Sequence, residues 1–158
     1  MSSRVGTSLQ AILVGCALLS LSTGAAIRQG QETPEQFVDR VKKAIQKEEW
    51  GRAKSGIAHA LALKPKSAEA NFIAAQVYWH EGARWMAMEA LEKAIENQPV
   101  YPEARLLLAQ YLADDDKPDK AREQVNIALA QGISGFSAHR LLAEIDLAKE
   151  DFGGHQFA

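Results

Sequence analysis

From Phe37 onward, apolar residues recur every three or four positions, the spacing of a helix with one buried stripe. Phe37, Val38, Val41, Ala44 and Ile45 form the first stripe. Thr33-Pro34-Glu35-Gln36 opens it: Thr33 can cap, Pro34 fits the first turn and Gln36 completes a capping box. A second helix is predicted from about Trp50 to Leu63, stopping before Pro65 because the residue before a proline is pushed out of the helical region. Ser67 caps a third, which carries Phe72, Ile73, Ala75, Val77 and Tyr78 to about His80, and Gly82 breaks it. The run RWMAMEALEKAIEN forms the fourth and ends before Pro99. Pro102 opens the fifth, through Leu106, Leu107, Leu108 and Tyr111. Asp116 and Pro118 start the sixth, with Asp116 as its cap, and Gly132 ends it. A seventh spans about Ser137 to Lys149. Alanine is abundant and β-branched runs are scarce, which favours helices over strands.

The stripes repeat as well as alternate. Pro65 and Pro99 are 34 residues apart, and the same offset links Ala53, Ala87 and Ala121. It links Ala60, Ala94 and Ala128, then Ala75, Ala109 and Ala143, and then Ile57, Leu91 and Val125. Ala74, Leu108 and Leu142 stand just before the third series. Several series at one offset, in one order, indicate a stacked array of helix pairs. Small alanines let paired helices approach closely, while Ile57, Leu91 and Val125 fill the space beside them.

These residues resemble the tetratricopeptide repeat, a 34-residue helix–turn–helix. Ala74-Ala75 with Tyr78, Ala87 with Leu91, and Pro99 match in the middle unit. Leu108-Ala109 with Tyr111-Leu112, and Ala121 with Val125, match in the next, and Ala53, Ile57, Ala60 and Pro65 match in the first. Asn71 and Arg105 stand where the pattern has an early Trp, Ile133 where it has a Pro, and Val41 where it has a small residue. The resemblance implies an all-α, right-handed α-solenoid of antiparallel helix pairs. Its units would be 34–67, 68–101 and 102–135, followed by a capping helix at 136–150 and a disordered tail at 151–158. Leu141, Leu142 and Ile145 of the capping helix would face its neighbour, with Arg140 and Glu144 in solvent.

Residues 1–26 read differently. Arg4 is followed by an apolar run from Ala11 to Leu21 and then small residues, the order of a secretory signal peptide. Cleavage after Ala25 or Ala26 leaves a linker to residue 33 and an exported chain, periplasmic or secreted. Two other fates stay open. Leu13 to Cys16 resembles the lipobox of bacterial lipoproteins, in which the cysteine is lipidated, and an uncleaved leader would anchor the chain in the membrane. The apolar run continues past Cys16, which argues for a plain signal core. Membrane contact is expected only through retention or lipidation.

Composition removes other classes. The chain has 158 residues, 47% hydrophobic and 24% charged, with a net charge of −2. That gives no electrostatic footprint for nucleic acid. Cys16 is the single cysteine, so neither an intramolecular disulfide nor a cysteine zinc site is available. His59, His80, His139 and His155 lack partners at metal-binding spacing, and no phosphate loop or nucleophile elbow occurs. The acidic run Asp114, Asp115 and Asp116 reads as a solvated loop. No enzyme, metal or cofactor is expected.

Function is then expected at a surface. The resemblance implies a concave groove lined by the first helix of each unit. It would expose Val38, Lys42 and Ile45, then Phe72, Gln76, Trp79 and His80, then Leu106, Gln110 and Asp114, and last Arg140 and Glu144. Phe72, Gln76, Trp79 and His80 share one helix face by spacing. The alternative rotation turns Phe72 and Trp79 into the core, with Ala75 and Tyr78 outward. Family members that clamp a partner's C-terminal carboxylate use Lys, Asn and Arg, where this chain has Val38, Ile73, Glu103 and Leu107, so that mode is not expected. The expected function is a non-catalytic scaffold or adaptor of the bacterial cell envelope that binds a protein or peptide segment. Alternatives are a Cys16-anchored assembly factor and an accessory domain of a secreted enzyme.

Overall fold

The computed structural model describes residues 32–133 and 135–153, with side chains described to residue 148. The leader, Cys16, the linker before residue 32 and His155 lie outside the described residues. Seven helices and no strand occur among the described residues: α1 Pro34–Gln46, α2 Trp50–Leu63, α3 Ala68–His80, α4 Arg84–Asn97, α5 Pro102–Ala113, α6 Pro118–Ala130 and α7 Gly135–Gly153. Helices α1–α2, α3–α4 and α5–α6 pack most extensively as pairs, each pair leans on the next, and α7 closes on α6 and α5. This is an all-α solenoid. Helix α7 continues to Gly153, three residues into the stretch expected as tail.

The core is the repeat made visible. All three members of each of the Ala53 and Ala60 series are fully buried, as are Leu91 and Val125, with Ile57 almost so. Two further series emerge: Ala70, Ala104 and Ala138, and Val77, Tyr111 and Ile145, all buried. Ala143 breaks its series. Ala75 and Ala109 are buried but Ala143 is exposed, and among the described residues no helix follows α7 to cover it.

The turn within each pair repeats in backbone geometry. Glu48, Gly82 and Asp116, spaced at the repeat offset, have φ of 57°, 76° and 55°. Beyond each, an amide reaches five residues back: Glu49 to Ala44, Ala83 to Tyr78 and Lys117 to Leu112, each at 2.9 Å. This is the six-to-one closure of a helix C-terminus around a left-handed residue. Only the middle unit places glycine there. Asp116 therefore does not cap α6, as expected from sequence. The N-cap is Lys117, without a side-chain hydrogen bond, and Lys117 Nζ instead donates to Asp115 at 2.6 Å. Ser67 does cap α3, accepting from the Ala70 amide at 3.2 Å.

The joints between pairs are fastened from the positions where the repeat pattern has its early Trp. Asn71, 4% exposed, donates through Nδ2 to the Pro65 carbonyl at 2.9 Å and the Ser67 carbonyl at 2.8 Å. One repeat on, Arg105 Nη2 reaches the Pro99 carbonyl at 3.4 Å, and Gln131 Nε2 donates to the same oxygen at 2.9 Å. Both departures from the pattern thus hold the proline carbonyl that ends the preceding unit. The Val41 departure is also compensated. A Cβ added to Gly56 would sit 2.6 Å from Val41 Cγ2, so the first pair combines valine with glycine where the second has Ala75 and Ala90.

Candidate functional site

Helices α3 and α5 present their outer faces side by side and form an open cleft of ≈ 650 Å3. Phe72, Gln76, Trp79 and His80 from α3, and Leu106 and Gln110 from α5, line it. The family resemblance implied these six on the groove, four of them sharing one helix face by spacing, and the structure brings them together. Ala75 is fully buried and Phe72 and Trp79 are half-buried at the cleft, so the alternative rotation of α3 does not occur.

Aromatic stacking sets the floor. Trp79 lies on Tyr111 with ring centroids 3.9 Å apart and planes 4° from parallel. His80 stacks on Trp50 at 3.7 Å, which brings the start of α2 to the rim. Phe72 meets Tyr101 at 5.3 Å in a tilted contact. The Arg84 guanidinium stands 5.4 Å over the Trp79 ring and donates through Nη1 to the Asp114 carbonyl at 3.2 Å. A stacked, half-covered indole is an apolar surface held in one rotamer, so a docking segment has little side-chain entropy to freeze on this side. Burial, with a smaller contribution from Asp114, pushes the Tyr111 hydroxyl up to about 12, so it stays protonated at physiological pH. It can donate a hydrogen bond and does not act as a base.

Six expected groove residues, Val38, Lys42, Ile45, Asp114, Arg140 and Glu144, do not line this cleft; Asp114 and Glu144 border a separate hollow against α7. Val38 is 2% exposed and belongs to the core. It shares the register of Phe72, but a valine is too short to climb to the surface, and it lies beneath the α2–α3 turn beside Ser67 and Ala68. Ile45 packs against the same core. Lys42 is half-exposed and forms an ion pair with Glu69 across to α3, outside the cleft. Arg140 is exposed, 3.5 Å from Glu144, and does not line the cleft. Trp50, Glu103, Leu107, Tyr111 and Ile133 line the cleft without having been expected there. Tyr111 follows the buried Val77 by one repeat, which marks a core register in the sequence but not its stacking on Trp79.

Among the described residues, no group of three His, Cys, Asp or Glu side chains could hold a metal ion. No helix among them is long and apolar enough to cross a membrane.

No protein-family model and no curated protein matches the chain. Solved structures do. The crystal structure of MamA superposes with a TM-score of 0.71 at 19% identity, covering 80% of this chain and 74% of that one. The first TPR domain of Spaghetti (RPAP3), bound to the HSP90 peptide SRMEEVD, gives 0.70 at 14% identity, covering 75% and 94%. The Sgt2 TPR domain from Aspergillus fumigatus gives 0.71 at 18% identity, covering 79% and 84%. At these identities the likeness speaks to architecture alone, and with the 34-residue register of the core it establishes that architecture: the chain has the tetratricopeptide-repeat fold.

Proposed function

We propose that the chain is a non-catalytic adaptor that docks an extended or helical protein segment in the α3–α5 cleft. The observation that carries this reading is the preformed aromatic floor, Trp79 on Tyr111, flanked by Phe72 and Leu106 and rimmed by Gln76 and Gln110. Rigid aromatics in a partly desolvated hollow are the usual anchors of protein–protein binding, with amide side chains supplying adaptable hydrogen bonds at the rim. The neighbour solved with an HSP90 peptide supports a peptide-sized ligand for this architecture. Its acidic peptide is not the ligand expected here, because Glu103 and Leu107 stand where carboxylate-clamping members have basic or amide side chains.

We place this adaptor outside the cytoplasm, in the bacterial envelope. Support comes from Arg4, the apolar run from Ala11 to Leu21 and the small residues after it. Attachment through Cys16 is the second reading, favoured by the four residues Leu13 to Cys16. Radiolabelled palmitate incorporation lost in Cys16→Ser supports attachment, and no incorporation removes it.

The docking test is affinity capture from envelope extract with wild type, Leu106→Asp, Trp79→Ala and Trp85→Ala, each checked for wild-type helicity. Trp85 is 67% exposed on α4 and outside the cleft lining. The two cleft variants should lose a partner that wild type and Trp85→Ala retain. Equal capture by all four contradicts the assignment.

A further inference from the structure

Gln110 lines two hollows. Besides the aromatic cleft, it borders a second cavity of ≈ 450 Å3 between the end of α5, the start of α6 and α7. This cavity lies one repeat beyond a place that the chain's own side chains occupy. Ala113 stands 34 residues after Trp79, Pro118 after Arg84 and Ile145 after Tyr111. At the earlier junction Trp79 stacks on Tyr111 and the Arg84 guanidinium covers the indole. At the junction before that, Trp50 occupies the register of Arg84 and stacks on His80. An arginine-and-aromatic stack, or an aromatic one, thus occupies each of the first two junctions. Alanine, proline and isoleucine cannot form such a stack at the third.

The walls of the third junction state what would fit. Leu141, Ile145 and Pro118 give it an apolar side, while Asp114, Asp116 and Glu144 stand around it. No basic side chain lines it among the described residues. Glu144 has a 3.5 Å contact with the exposed Arg140. The Asp114 and Asp116 carboxylates form no ion pair among the described residues. A long aliphatic stem ending in a cation matches both features, since such side chains lay their methylenes on apolar surface and keep the charge at the edge.

We propose that this cavity receives an arginine or lysine side chain from the partner segment, taking the place that Arg84 occupies one unit earlier. The inference rests on the reading that the groove docks a protein segment, and Gln110 borders both hollows. The partner segment would therefore carry an apolar anchor for the aromatic cleft and a basic residue at a fixed distance toward α7.

Selection of a displayed random peptide library on the full chain tests this. Wild type should enrich peptides with an arginine or lysine at a constant offset from an apolar residue. Binding of an enriched peptide should fall roughly tenfold in the Asp114→Asn, Asp116→Asn, Glu144→Gln variant, as expected for three exposed charge contacts. Replacing the peptide's basic residue by methionine should cost wild type the same factor and the triple variant little. Enriched peptides without a fixed basic position, or undiminished binding by the triple variant, overturn the inference while leaving groove docking standing. Failure to enrich any peptide overturns both.

Discussion

The exchange of Val41 and Gly56 for the alanine pair of the next unit makes a quantitative prediction. In Gly56→Ala the new methyl carbon would lie 2.6 Å from Val41 Cγ2, about 1 Å inside ordinary carbon contact. Val41 is 1% exposed and β-branched at Cβ, so moving its methyl aside means leaving its preferred rotamer. Overpacking of this kind costs about 1–3 kcal/mol, against a gain of about 1 kcal/mol from alanine's helix propensity. The net effect should be destabilisation by up to about 2 kcal/mol. Gly51 is the control: it lies in the same helix, and nothing stands within 4 Å of its would-be Cβ. Gly51→Ala should be neutral or stabilising by up to about 1 kcal/mol. Val41→Ala alone should cost about 2 kcal/mol through lost burial. The double variant recreates the alanine pair of the second unit, so its cost should fall short of the sum of the singles by about 1–3 kcal/mol. Urea unfolding followed by far-ultraviolet circular dichroism gives all four values. A Gly56→Ala protein as stable as Gly51→Ala, or a strictly additive cycle, would refute the volume exchange.

Glu48 holds the left-handed position that glycine fills in the second unit, so Glu48→Gly should stabilise by up to about 1 kcal/mol and Gly82→Ala should destabilise by about 1–2 kcal/mol. The same unfolding assay checks both. Asn71→Ala strips two hydrogen bonds from the joint at Pro65 and should cost about 1–3 kcal/mol, with amide exchange at the α2–α3 turn accelerated. The Tyr111 hydroxyl, raised to about 12 in the folded chain, releases its proton near 10 when unfolded. The native state therefore binds more protons across that window, and stability is present below about pH 10 and declines as pH rises toward about 12. Tyr111→Phe should remove that decline in melts run across the window. An unchanged alkaline slope would mean that another group carries it.

Much of the fold was legible because its boundaries are written in backbone chemistry. Pro65, Pro99, Pro102 and Pro118 stop or start helices wherever they occur, and Gly82 and Gly132 adopt the left-handed turns expected of them. The 34-residue series located the core because identical registers in stacked pairs see nearly identical neighbours. What the register could not convey was reach. Val38, Phe72 and Leu106 are equivalent by count, but Phe72 and Leu106 arrive at the cleft and Val38 stops beneath the turn. End effects were also hidden: Ala143 and Arg140 inherit their registers on a helix that no other described helix follows. The Asp116 cap failed because an aspartate before a proline-led helix suits both an N-cap and a left-handed turn, and the closing bond from Lys117 to Leu112 decides between them. Trp50 looked like a helix start and proved to be half of a stacked pair, since its partner His80 lies 30 residues on.

The proposed adaptor function requires that partners dock on the α3–α5 cleft. Site-specific photo-crosslinking in living cells tests it most directly, with a benzophenone side chain placed at Gln76, at Gln110 or at the exposed Glu92 of α4. One and the same adduct should form from Gln76 and from Gln110, disappear when Leu106→Asp is added, and be absent from Glu92. An adduct that forms equally well from Glu92, or survives Leu106→Asp, would place the binding surface elsewhere on the solenoid.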